Sequence, residues 1–175
     1  MPAPRFTEQL NLQIGNELAA HNQYLAVAVH YEAETMPRMA AFFYTQALEE
    51  RDHAMMMIQY LLDTDAEVVI PAVDATVSKF EDVVAPIRLA LDQEKRVTEQ
   101  VNTLLRIARE ESDFASEQFM QWFIKEQVEE VATMTDLLAV VTRNADDIED
   151  IEEYVAREHS GGETDPTAPR IAGAA

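Results

Sequence analysis

Acidic residues recur in this chain at a fixed interval. Glu17 lies 33 residues before Glu50, and Glu94 lies 33 residues before Gln127. An offset of 77 residues carries Glu17 onto Glu94, Glu49 onto Glu126, Glu50 onto Gln127 and His53 onto Glu130. In each half the later member opens an (i, i+3) pair, Glu50 with His53 and Gln127 with Glu130. Residues three apart on a helix share one face, so both can reach a single ion. An acid plus an (i, i+3) chelate, presented twice, is how a helical bundle holds two metal ions in its core.

The ligand types narrow the metal. The chain has no cysteine, which excludes disulfides, thiolate zinc sites and iron–sulfur clusters. Hard carboxylate oxygens with little imidazole suit iron or manganese better than structural zinc. The simplest assignment gives one ion Glu17, Glu50 and His53. The other takes Glu94 and Glu130, with Glu50 bridging. Gln127 then serves as a weak neutral ligand or as a hydrogen-bond partner.

The elements that must carry these groups follow from the apolar spacing. Residues 6–35 read as a first helix, with the stripe Leu10, Ile14, Glu17, His21, Tyr24, Ala28 and Tyr31 at intervals of three and four. Met36-Pro37 breaks it. Residues 38–62 form a second helix through Met39, Phe43, Gln46, Glu50, His53, Met57 and Leu61. Residues 63–81 hold β-branched side chains and Pro71, and read as an extended crossover. A helix of ~25 residues is ~37 Å long, and the crossover can span up to ~60 Å. It therefore can run the length of the bundle and set the second and third helices parallel. The third helix runs from Asp82, a candidate cap, to about Glu110. The fourth runs from Phe114 to Arg143. Asn144 is expected to stop it in a left-handed conformation, and Asp146 to cap a short fifth helix ending near Glu158. The fold expected is all-α: a four-helix bundle with a long crossover and a short fifth helix.

Each long helix thus places an acid or amide in the middle of its apolar stripe. Ionised carboxylates in a core are costly unless paired or bound to metal. Arg51 points about 100° away from Glu50 around the helix, and His53 alone cannot balance Glu17, Glu50, Glu94 and Glu130. Bound cations can.

Composition agrees. With 13 basic and 33 acidic side chains the net charge is −20. That surface attracts cations and disfavours nucleic acid and anionic membranes. No apolar run reaches membrane-spanning length, and the N-terminus lacks a signal-like apolar stretch, so the cytoplasm is the expected location. Residues 1–160 read as one domain, and 161–175, rich in Gly, Pro, Thr and Ala, as a disordered tail.

A second layer of groups surrounds the first. Glu49, Glu126 and Glu129 flank the ligand positions and, with Glu130, could form a third, all-carboxylate site; the bland alternative is a solvated acidic face. Tyr24 lies two turns after Glu17 and could donate an electron or proton, as could Trp122 near Gln127. A buried aromatic with a satisfied polar tip is the competing reading of Trp122. His21 is one turn from Glu17 but has no matching acid. His30 and His159 read as surface residues.

These residues resemble the non-haem bacterial ferritins, of the actinobacterial type, from about residue 6 to 158. The resemblance rests on Glu17, Tyr24, Glu49-Glu50-Arg51-Asp52-His53, Glu94, and Phe119-Met120-Gln121-Trp122-Phe123 followed by Glu126-Gln127-Val128-Glu129-Glu130. It implies a hollow cage of roughly 24 subunits. It implies a ferroxidase centre that oxidises Fe(II) with O2 or H2O2 and deposits a ferric mineral inside the cage. Glu17, Glu50 and His53 would hold the first iron, and Glu50, Glu94 and Glu130 the second. Glu49, Glu126, Glu129 and Glu130 match a third iron site, Tyr24 the family's tyrosine, and Gln127 its amide. Bacterioferritins carry a second Glu-x-x-His and a haem-ligating methionine; here Gln127-x-x-Glu130 and Arg51 stand in those places, so no haem is expected. Asp52 is a candidate for mineral nucleation and Glu117 for lining an access channel. A di-iron enzyme acting on an organic substrate and a metal buffer without catalysis are the rival readings.

Overall fold

A computed structural model describes residues 1–159 and 165–173. It contains α1 (Pro4–Ala33), α2 (Pro37–Asp63), α3 (Ala85–Glu110), α4 (Phe114–Arg143) and α5 (Ile148–Glu158), with no strand among the described residues. The all-α bundle expected from the spacing is what forms.

Local chemistry sets the helix ends. Pro4, Pro37 and Pro86 sit in the first turns of α1, α2 and α3, where a missing N–H is harmless. Thr35, Asp65 and Ser112 follow the ends of the first three helices with φ of 62°, 54° and 55°. Each lets the next residue bond back across the last turn: Met36 N–H to Tyr31 O, Ala66 N–H to Leu61 O, Asp113 N–H to Ala108 O. Asn144 does not behave this way. Its φ is −112°, and α4 closes with Asn144 N–H on Val140 O at 3.0 Å. Asp147, one residue past the expected Asp146, caps α5 by accepting the Asp150 N–H at 3.2 Å.

Side chains from distant elements also cap helices. Glu152 on α5 accepts the Arg38 and Met39 N–H groups of α2 at 2.7 and 2.9 Å. Asp113 accepts the Ser116 N–H of α4 at 3.1 Å and the Ala3 N–H ahead of α1 at 2.9 Å. Asp113→Ala should therefore unfasten two helix starts, lowering stability by about 1–2 kcal/mol in a denaturant titration. A loss indistinguishable from zero would contradict this shared cap.

The crossover is held to α1 by side chains rather than by pairing. Asn11 bonds Glu67 O and Val69 N–H, Gln23 bonds Val77 at both N–H and O, and Tyr31 reaches Val83 O. Gly15 makes room for it, since a Cβ there would lie 2.5 Å from Pro71 Cγ.

The core is split in two. One apolar cluster gathers Tyr24, Val27 and Tyr31 of α1, Met39 and Phe43 of α2, Ile87 and Leu91 of α3, and Met134 and Leu137 of α4. The other gathers Leu10 and Ile14, Met57 and Leu61, Val101 and Leu104, and Met120 and Phe123. Glu17, Glu50, His53, Glu94 and Gln127 fall between the clusters on their helices, and all are buried. The order of clusters along each helix shows that α2 and α3 run parallel, and that α1 and α4 run opposite to them.

The tail departs from the expected disorder at 165–173. Asp165 accepts from Trp122 Nε1 at 3.2 Å and from Lys125 Nζ at 3.0 Å. Ala168 and Ile171 pack on the second cluster, and Ala172 N–H bonds Met55 O at 3.1 Å. Two apolar side chains and one carboxylate anchor a segment whose composition looked unstructured. Residues 160–164 and 174–175 lie outside the described residues.

Candidate metal centre

At the waist between the clusters the helices bring Glu17, Glu50 and His53 together. One ligand atom from each lies within 4.8 Å of the others, and all three residues are buried. His53 Nδ1 is 3.5 Å from a Glu50 oxygen. One oxygen of Glu17, and that same oxygen of Glu50, are buried with no hydrogen-bond partner among the described residues. Orphaned buried acceptors need an explanation, and a cation supplies one.

Electrostatics give the same answer. Burial raises the Glu17 carboxyl well above its ordinary value, and repulsion from Glu50 raises it further. Glu50 is raised by burial and then by Glu94. Glu130 is raised by burial and then by Glu94. Burial also raises Glu94, while hydrogen bonds from Tyr24 and Gln127 oppose it. Each acid is therefore a repulsive neighbour of another, and among the described residues only His53 opposes that repulsion within the cluster, which is the field a divalent ion relieves. Glu130 is half-buried as a residue, yet its carboxyl feels nearly full burial because it points toward this cluster.

Gln127 is oriented as a donor. The Thr98 hydroxyl lies 2.9 Å from Gln127 Oε1, so the amide N–H2 faces Glu94 Oε2 at 3.4 Å. Tyr24 O–H also donates to Glu94, in a very short contact. Its phenol is raised by burial and by Glu94, so it holds its proton.

The outer acids differ among themselves. Glu49 is half-buried and raised by burial, and Glu126 repels it. Glu126 is raised by burial and by Glu129. The Glu129 side chain is 64% exposed and lies 3.8 Å from Lys125, which also approaches Glu126 at 3.7 Å. Lys125, which also bonds Asp165 at 3.0 Å, thus shares one charge along the Glu126–Glu129 edge of the candidate third site.

Several other candidates have different partners. His21 Nδ1 lies 2.6 Å from Ala47 O, tying α1 to α2. His30 and His159 are half-buried rather than exposed: His30 packs on Phe80 and His159 on Phe42. Trp122 is half-buried, satisfied by Asp165, and edge-on to His53 at 5.6 Å. Arg51 pairs with Asp52 at 2.7 Å, and Glu117 pairs with Arg109 at 2.7 Å.

Three supporting residues were not read as functional from the sequence. Gln13 donates to Glu17 Oε1 at 2.9 Å. Gln46 donates to Glu49 and eases the charge on Glu130. Thr98 orients Gln127. Each lies one helical turn from a candidate ligand: Gln13 before Glu17, Gln46 before Glu50, Thr98 after Glu94. A neutral polar residue four positions from an acid, inside an apolar stripe, was the available signal.

Known proteins resemble this chain. The ferritin-like domain family matches residues 7–144. A ferritin BfrB of Mycolicibacterium smegmatis is 50% identical over 171 residues, covering 98% of this chain and 94% of that protein. A bacterial non-heme ferritin of Staphylococcus aureus is 35% identical over 147 residues, covering 84% of this chain and 89% of that protein. An open-pore ferritin of Archaeoglobus fulgidus superposes with a TM-score of 0.86 at 26% identity, covering 90% of this chain and 97% of that one. A buried carboxylate–histidine cluster at the waist of four long helices, and family likeness across 138 of the first 144 residues (7 to 144 inclusive), lead to one statement: the chain belongs to the ferritin family.

Proposed function

We propose that this protein stores iron and loads it by oxidising Fe(II) at a two-ion centre within each subunit. Iron storage follows from the family. The observation that carries the oxidation step is the pair of orphaned oxygens on Glu17 and Glu50 within the Glu17–Glu50–His53 cluster. Fe(II) is substrate here. One ion takes Glu17, Glu50 and His53; the other takes Glu50, Glu94 and Glu130. Two Fe(II) ions each give one electron to O2, which takes up two protons and leaves as hydrogen peroxide. The carboxylates hold the ions side by side and stabilise the Fe(III) product. Tyr24 and Gln127 hold Glu94 in place through its two oxygens. Glu49, Glu126 and Glu129 offer a third position on the way out, once Lys125 swings aside. The subunits assemble into a cage of about 24 copies, with the mineral inside.

The experiment is anaerobic Fe(II) addition to the intact protein, followed by oxygen. Ferric absorbance should develop in proportion to about two ions per chain in the first fast phase, on a particle whose scattering mass is that of a large shell. Metal uptake without fast oxidation would leave only the buffering reading. A particle no larger than a dimer would remove the cage.

Gln127 makes a separate prediction. Gln127→Glu replaces an amide donor to Glu94 by a further anion. The second ion should bind about tenfold tighter, while the metal-free protein melts lower. Calorimetric titration with Co(II) reads the affinity and a thermal scan the melting, and unchanged affinity would count against a second ion at Glu94 and Glu130.

A further inference from the structure

A groove of about 310 Å³ opens between α1, α3 and the crossover. Its lining brackets the metal cluster in sequence. Asn16 and Ala20 flank Glu17 on α1, and Gln93 and Val97 flank Glu94 on α3. Both candidate ligands thus lie next in sequence to residues of this wall. An amide chain links groove and cluster on the α1 side. Asn16 donates to Gln13 Oε1 at 3.1 Å. Gln13 in turn donates to Glu17 at 2.9 Å and to Gln100, also on the groove wall, at 3.2 Å. Gln13 is fully buried. A hydrogen-bonded chain thus runs from groove to cluster.

The chemistry of the lining selects what can use it. At the mouth, Asp74 and Arg96 contribute one charge of each sign, so this face is locally neutral on a chain of net charge −20. The floor is amide: Asn16, Gln93 and Gln100. Neutral amides are weaker ligands than carboxylates for a divalent cation, and a guanidinium at the mouth repels it. A small uncharged molecule with both O–H donors and acceptors matches amides group for group. Gln93 independently marks the floor as ligand-accepting. It is 9% exposed, and its Nε2 is buried without a partner among the described residues. Such a donor is normally satisfied by a water or a ligand of similar size.

We infer that this groove is an access port to the metal cluster for hydrogen peroxide and similar small uncharged hydroxylic molecules, with Gln13 as its gate. The port rests on the ferroxidase reading of the cluster. It gives the peroxide formed from O2, or supplied from elsewhere, a route separate from the acidic surfaces that gather Fe(II).

The test fills the groove from either wall without touching a candidate ligand. Ala19→Phe does so from α1, and Ala75→Phe does so from the crossover, outside the helices. Intact wild type and variants are loaded anaerobically with Fe(II), then mixed in stopped flow with H2O2 or with O2. Co(II) uptake is titrated in parallel. Oxidation by peroxide should slow by about tenfold or more in both variants, with Co(II) stoichiometry unchanged and the O2 rate affected much less. Peroxide rates within about twofold of wild type in both variants would overturn the port. So would equal slowing with both oxidants, or Co(II) uptake that falls with the rate. A wild-type protein that oxidises no iron with either oxidant would instead overturn the ferroxidase reading itself.

Discussion

Glu50→Ala is expected to lower the rate of Fe(II) oxidation by about a hundredfold or more, with the protein still folded and assembled. Glu50 is the one acid coupled to every part of the centre. Its oxygen lies 3.5 Å from His53 Nδ1, it repels Glu17, and Glu94 and Glu130 repel it. It also carries one of the orphaned oxygens. Removing it takes a ligand from both ions at once and lets them drift apart, so a two-electron oxidant no longer meets two Fe(II) ions together. Stopped-flow absorbance after anaerobic loading measures the rate. Retention of the wild-type rate would sink the proposed mechanism. Glu50→Gln keeps the shape of the side chain and should show the same loss, which separates ligation from packing. Glu129→Ala is the contrasting case. Its side chain is 64% exposed and its nearest cation is Lys125 at 3.8 Å, so the initial oxidation should change by less than about threefold.

The inner ligands were readable in the sequence because burial and spacing pointed the same way. An acid in the middle of an apolar stripe is anomalous, and four helices repeating the anomaly fix a common level. The two-cluster core is the physical form of that pattern, since apolar stripes on either side of each acid must pack into separate clusters. Other features were not readable. Gln13, Gln46 and Thr98 look like ordinary polar residues until the neighbouring helix supplies their partners. The docking of 165–173 depends on Asp165 meeting Trp122 and Lys125 some forty positions earlier, a contact with no local signature. Asn144 shows the limit of residue preferences. Asn favours the left-handed region, but Thr35, Asp65 and Ser112 occupy it here while Asn144 does not. The loop into α5, rather than the residue type, decides its conformation.

The metal-free protein should lose stability as pH rises above the ordinary carboxylate range, and metal should restore more of it at the upper end. Glu17, Glu50, Glu94 and Glu130 are all raised above the ordinary value of 4.5, chiefly by burial. Above that value the unfolded chain has released these protons while the folded chain still holds them. The folded state then binds more protons, so unfolding becomes more favourable with rising pH. The stability these groups contribute is complete below the unfolded value and lost as pH passes through the raised folded values. Each unit of upward shift is worth about 1.4 kcal/mol at the far side of that window. Other acids on a chain of net charge −20 add their own slope, so the informative quantity is a difference. Glu50→Gln removes one buried proton-holder and relieves Glu17 at the same time. Its melting temperature should exceed that of the metal-free wild type, by a margin that widens with pH. Metal acts in the opposite sense on the wild type. A divalent ion replaces the protons, so Co(II) binding should release protons, and its thermal stabilisation should grow with pH. Scanning calorimetry of both proteins, with and without Co(II), reads these slopes. A wild-type and Glu50→Gln pair whose melting temperatures run parallel across the window would show that the waist acids are not strained. It would also remove the physical reason for placing cations among them.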